Sequence, residues 1–247
     1  MYIVILTALG VGAATVIGAL LGFLFDDFSR RCSDIVLSFS GGVMLCASMF
    51  SLILPSMENG GKYPIIITVI GILSGVLCLI GIDRLIVRLE SSGTKSGEKA
   101  PDNHREAMLL VLAIAIHNLP EGFAAGVGFG TGSLSEALMI AMGIAIQNLP
   151  EGMILIGPLL SVGISPFRSF LIAALTGLVE VVGAFLGYFA ISIFSPFLPF
   201  SLAFAGGAMI YITIDEIIPK AQNGGKSATL ANVIGFLLML TLSAVIN

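Results

Sequence analysis

Apolar residues in this chain gather into unbroken stretches of about 20 or more, separated by short joints rich in Gly, Pro and charge. A helix rising about 1.5 Å per residue needs about 20 such residues to cross ~30 Å of hydrocarbon. Eight stretches reach that length, near 2–25, 33–55, 63–88, 107–130, 135–160, 166–193, 198–219 and 226–246. The pattern predicts an all-α membrane protein, one transmembrane domain covering 1–247. The longest joint, at about 89–106, is polar and rich in Gly, Ser and Lys, and reads as a flexible cytoplasmic linker with no fold of its own. His104 lies there beside Asp102 and Glu106 and reads either as a transient metal-collecting spot or, with more weight, as a solvated loop histidine.

Composition agrees with the pattern, since 57% of the 247 residues are hydrophobic and only 11% are charged, far from the balance of a soluble domain. The sparse charge also sets orientation. With both termini outside, the inner loops hold Arg30, Arg31, Arg84, Arg88, Lys95, Lys99, Arg105, Arg168, Lys220 and Lys226, leaving Lys62 alone outside. That asymmetry follows the positive-inside rule and supports the eight-span count, because a missed helix would scramble the alternation. No Lys or Arg precedes the first apolar run, so it reads as a retained helix rather than a cleaved leader. Cys32, Cys46 and Cys78 fall singly, suggesting neither a disulfide framework nor a thiolate zinc site. A net charge of −4 with no basic patch gives no sign of nucleic acid as a partner.

Two internal repeats stand out. Residues 113–122, AIAIHNLPEG, match 143–152, GIAIQNLPEG, at eight of ten positions on consecutive helices that must run in opposite directions. A second pair joins Phe39-Ser-Gly-Gly42, Pro55 and Asn59-Gly-Gly-Lys62 to Phe204-Ala-Gly-Gly207, Pro219 and Asn223-Gly-Gly-Lys226. Repeats on oppositely directed helices mark an inverted topology, with helices 4 and 5 as a central pair and helices 1–3 matching 6–8, a 3+2+3 bundle. Such bundles place a substrate site near the midplane and suit alternating access.

The chemistry sits in the first repeat. His117 and Glu121 are four apart and share a helix face, as do Gln147 and Glu151, so each pair can converge on one ion. Pro120 and Pro150 cannot donate to the carbonyls of Ile116 and Ile146, which predicts a kink and a free carbonyl beside each pair. A carboxylate at the bilayer centre costs at least ~2.5–3.5 kcal/mol, so these mid-span acids need compensation, and a bound divalent metal supplies it. Asn118, Asn148 and Glu180 add oxygen donors nearby. The mixed N/O set suits Mn²⁺ or Fe²⁺ and is usable by Zn²⁺ or Cd²⁺, while the lack of thiolates disfavours Cu(I). Met44 can offer a soft thioether, or it can serve as ordinary core packing. Asp215 and Glu216 near the end of helix 7 read equally as an exit-side relay or a plain interfacial pair. Intramembrane enzymes lose ground because H-E-x-x-H and G-x-S-x-G are both missing.

On these residues the chain resembles the ZIP (Zrt/Irt-like protein) family of zinc and iron transporters, closest to bacterial members whose fifth helix opens its motif with Gln. The match rests on the eight spans, the H-N-x-P-E-G box on helix 4, its counterpart on helix 5, and Gly177-Leu-Val-Glu180 on helix 6. The resemblance implies a homodimer in the cell (inner or plasma) membrane with both termini extracytoplasmic, importing zinc first, with Fe²⁺, Mn²⁺ and Cd²⁺ as further cargo and no catalytic cofactor. It assigns His117, Gln147 and Met44 to one metal position, Asn118, Asn148 and Glu180 to a second, and Glu121 and Glu151 as bridges between them. Gln147 stands where many relatives carry His, Asn148 where Asp or Asn is found, and Val181 where Pro is frequent. The neutral Asn148 leaves the second position poorer in charge, and the linker lacks the His-rich run of many relatives.

Overall fold

A helix satisfies its own backbone hydrogen bonds, which is why apolar stretches of this length fold as helices where lipid offers no partner. The computed structural model describes residues 1–24, 30–93, 102–221 and 224–246. Among them are eight helices long and apolar enough to span: α1 (Tyr2–Leu24), α2 (Arg31–Asn59), α3 (Pro64–Leu85), α4 (Ala107–Thr131), α5 (Leu134–Ser161), α6 (Pro166–Ile193), α7 (Ser195–Ala221) and α8 (Gly225–Val245). The described residues contain no strand.

The joint between α3 and α4 is shorter than expected. The helix containing α3 continues to Gly93 and the one containing α4 begins at Asp102, leaving only 94–101 of the expected linker outside the described residues. Outside the bilayer, each further residue adds a helical hydrogen bond at no desolvation penalty, so a helix already nucleated in the span propagates past its apolar edge. The expectation for His104, Asp102 and Glu106 concerns side chains outside those described.

Burial ranks the helices. About two thirds of the most apolar window of α2, α5 and α7 is buried (67%), against 22% in α3 and α8, so the former line the middle and the latter flank the bundle. Ile65, Ile66, Leu73 and Leu77 of α3 and Leu230, Val233, Ile234 and Leu237 of α8 are exposed apolar side chains, as a lipid-facing surface requires.

The helices pack in two groups. In one, α4 lies on α6, α1 on α5, and α1 on α6; in the other, α2 lies on α8 and α3 on α7. Contacts of α2 with α5 and of α4 with α7 join the groups. Exchanging α1–α3 with α6–α8 and α4 with α5 maps every one of these pairings onto another or onto itself. Close backbone approaches follow the same exchange: Gly42 meets Asn232 of α8 as Gly207 meets Ile72 of α3, and Gly122 meets Glu180 of α6 as Gly152 meets Thr15 of α1. Regular α-helix gives way to π-helix at Ala47–Ile53 in α2 and at Thr213–Ile217 in α7, each just before a proline, Pro55 or Pro219. A proline ring clashes with the carbonyl four residues back, and a widened turn relieves that clash.

Candidate metal centre

The two motif copies occupy the interior of α4 and α5, and both helices run through Pro120 and Pro150 without ending. His117, Asn118, Glu121, Gln147, Asn148, Glu151 and Glu180 are all buried, none more than 6% exposed. Burial on this scale obliges each polar group to find a partner, and the partners sort the residues into three clusters.

The first cluster centres on Glu180 of α6. Its Oε1 accepts from Thr15 Oγ1 of α1 at 2.5 Å and from Asn118 Nδ2 at 2.7 Å, and its Oε2 accepts from Asn148 Nδ2 at 2.5 Å. Each asparagine also donates to a backbone carbonyl, Asn118 to Thr176 at 3.0 Å and Asn148 to Val11 at 3.4 Å. In the second cluster, Gln147 Nε2 donates to Glu121 Oε1 at 2.9 Å, which joins the two motif copies directly.

The third cluster crosses between the helix groups. Ser40 Oγ of α2 donates to Glu151 Oε1 at 2.8 Å, and His117 Nε2 donates to Glu216 Oε1 of α7 at 2.6 Å. The other oxygen of Glu216 takes Lys220 Nζ at 2.7 Å, with the lysine side chain 44% exposed. His117, Glu151, Glu216 and Lys220 line one cavity together with Ile114 and Leu37.

What is left over after these bonds matters most. Asn118 Oδ1, Asn148 Oδ1, Gln147 Oε1 and Glu121 Oε2 are buried and have no hydrogen-bond partner. A buried unpartnered acceptor costs about 1–3 kcal/mol, and four on two adjacent helices repeat that penalty in one place. The three amide oxygens can only accept, and the carboxylate oxygen of Glu121 also accepts when ionised. The group that suits such a set is a cation.

The structure therefore brings together Glu121 with Gln147, both asparagines with Glu180, and His117, Glu151 and Glu216 around one cavity. Convergence into a finished cage is not seen: among the described residues no three His, Cys, Asp or Glu side chains form a group that could hold a metal ion. Like-charged carboxylates repel, and each has taken a separate donor instead. Met44 is fully buried, and its sulfur accepts from Thr213 Oγ1 at 3.5 Å. Of the Asp215-Glu216 pair, only Glu216 reaches a candidate ligand, while Asp215 is exposed. Sequence reasoning missed Thr15, Ser40, Thr213 and Lys220. A hydroxyl in a membrane helix usually bonds its own backbone, so nothing in the pattern singles out Thr15 or Ser40, although Ser40 lies within the second repeat.

Comparison with known proteins identifies the family. The family profile described as "ZIP Zinc transporter" matches residues 87–243. The chain is 36% identical to "Zinc transporter ZIPB" of Bordetella bronchiseptica, over 95% of this chain and 78% of that protein. It is 35% identical to "Zinc transporter GufA" of Myxococcus xanthus over 94% of both. Similarity extends to animals, with 32% identity to "Zinc transporter ZIP11" of Xenopus tropicalis over 92% of both chains.

Proposed function

Because the chain belongs to the ZIP zinc transporter family, we propose that it carries Zn²⁺ across the cell membrane into the cytoplasm by alternating access. The observation that carries this reading is the set of four unpartnered oxygens on Asn118, Glu121, Gln147 and Asn148, two from each motif copy, with the asparagines at matched places. Zn²⁺ takes nitrogen and oxygen ligands, and the same mixed set admits Fe²⁺, Mn²⁺ and Cd²⁺ as further cargo.

In this reading His117, Gln147 and Met44 belong to a first position, Glu121 and Glu151 bridge, and Asn118, Asn148 and Glu180 make a second. An arriving ion draws Glu151 from Ser40 and His117 from Glu216, so loading exchanges bonds between the two helix groups for bonds to metal. Glu216, tied to the exposed Lys220, offers the departing ion a carboxylate at the cavity mouth, with Asp215 next to it. The paired packing of α1–α3 and α6–α8 supports an inverted repeat, whose two halves give alternating access a symmetric basis. The family resemblance adds a homodimer with extracytoplasmic termini in the plasma membrane.

The test is ⁶⁵Zn²⁺ uptake by purified protein in liposomes. A carrier gives saturable uptake that is accelerated by unlabelled Zn²⁺ preloaded inside, whereas a channel shows no such counterflow. Absence of protein-dependent flux for all four ions would end the transport reading.

A further inference from the structure

Glu216 holds two partners of different kinds. Its Oε1 accepts from His117 Nε2 of α4 at 2.6 Å, across the boundary between the helix groups, and its Oε2 accepts from Lys220 Nζ at 2.7 Å, on its own helix. The difference matters once the groups move. A shift of α4 against α7 carries His117 away, whereas Lys220, four residues on from Glu216, stays within reach wherever α7 goes. A cation on so short a tether acts at a high effective concentration, so it returns to Glu216 whenever that carboxylate is free.

The surroundings give this ammonium weight. The cavity shared by His117, Glu151, Glu216 and Lys220 is otherwise walled by apolar side chains, and its free space of about 30 Å³ admits one water molecule or one bare ion. Two carboxylates line it, against a single ammonium. An ion that moves from the ligands of α4 and α5 to Glu216 therefore meets an oxygen already taken. It can hold that carboxylate only while the ammonium is displaced. Displacement is within reach, because the lysine side chain is 44% exposed and can turn its charged end into water.

We propose that Lys220 is a tethered competitor of the metal ion at Glu216: its ammonium yields the carboxylate to the departing ion and then reclaims it, which shortens the ion's stay and speeds release. Transport needs ligands that let go, and a rival cation fixed beside the last carboxylate weakens that carboxylate's hold on the ion. Lys220 acts on the ion through Glu216 and is a positioning residue for release, with no bond to metal. The proposal rests on the reading of Glu216 as the carboxylate offered to the departing ion.

Two measurements test it. Purified protein is treated briefly with an amine-acylating reagent, in chelator or in excess Zn²⁺, and the modified lysines are quantified by mass spectrometry. Zn²⁺ raises the acylation rate of Lys220 by about two- to fivefold, the factor that one half-exposed ion pair is worth, and leaves that of Lys62, at the opposite end of the bundle, unchanged. In liposomes, Lys220→Gln lowers kcat and KM of ⁶⁵Zn²⁺ uptake by about the same factor and leaves kcat/KM as it was, because only release slows. A role in packing alone would lower kcat/KM instead. Lys220→Arg, which keeps a cation on the tether, brings both constants back toward the wild type. Acylation of Lys220 that ignores Zn²⁺, or a wild-type kcat in Lys220→Gln, overturns the competitor role and leaves zinc transport standing. Should liposomes holding the wild-type protein take up no Zn²⁺, the transport reading falls and this proposal with it.

Discussion

Replacing Asn148 with Asp puts an anion where the structure requires a donor. Asn148 Nδ2 lies 2.5 Å from Glu180 Oε2, and both residues are fully buried. Removing that hydrogen bond to a charged group loses about 1.5–3 kcal/mol. Two ionised carboxylates about 4 Å apart at an effective dielectric of about 20 repel by about 4 kcal/mol, the most the pair can lose before it takes up a proton. The metal-stripped variant should therefore be destabilised by several kcal/mol, a sizeable part of the ~5–15 kcal/mol that holds a typical domain together. A dication placed between the carboxylates reverses the sign of that interaction, so Zn²⁺ should stabilise Asn148→Asp far more than it stabilises the wild type. Thermal unfolding in detergent, with chelator and with excess Zn²⁺, measures both numbers. The same variant should bind metal more tightly and release it more slowly, which lowers turnover in liposomes. Equal midpoints for variant and wild type in chelator, with equal shifts on adding Zn²⁺, would falsify the placement of residue 148 beside both Glu180 and the ion.

Other perturbations probe different parts of the account. Metal ligands must be deprotonated, so uptake driven by the zinc gradient alone should fall as pH is lowered from about 8 to about 5; a flat profile across that range would contradict a site built from imidazole and carboxylate ligands. Gly122→Ala introduces a methyl 2.0 Å from the Glu180 carbonyl, which must push α4 from α6. The expected loss is about 1–3 kcal/mol of stability together with weaker zinc binding, read by thermal unfolding and calorimetry, and an unchanged midpoint would mean the helices are not that close. Ser40→Ala leaves Glu151 without its α2 donor, so the barrier to recruiting Glu151 should drop and zinc affinity should rise by a small factor; unchanged affinity in titration would show that Ser40 does not compete with the ion.

Much of this molecule is legible in the chain because lipid is a strict solvent. The eight spans follow from apolar length alone, and their observed ends fall within a few residues of those expected. Buried acids in such spans need partners, which is why Glu121, Glu151 and Glu180 could be singled out before any geometry was known. What the pattern conceals is who those partners are. Nothing in the spacing of Thr15 says that it meets Glu180, because that contact depends on how α1 and α6 settle against Gly152 and Gly122. The π-helical turns before Pro55 and Pro219 were equally hidden, since a proline in a span announces a disturbed backbone but not which form it takes. His117 shows the opposite failure: its partner Glu216 was visible as an acid near the end of α7, yet only the structure tells that Glu216 rather than Asp215 reaches it.

The central claim is that ions cross through the two motif copies. Its most direct test is the initial rate of ⁶⁵Zn²⁺ uptake into liposomes holding equal amounts of folded wild-type protein, Glu121→Ala or Glu151→Ala. These two glutamates are the only acids that recur at matched positions in α4 and α5. The account predicts saturable uptake by the wild type and near-background rates in both variants, with unchanged size-exclusion profiles. Uptake at the wild-type rate in either variant would contradict it.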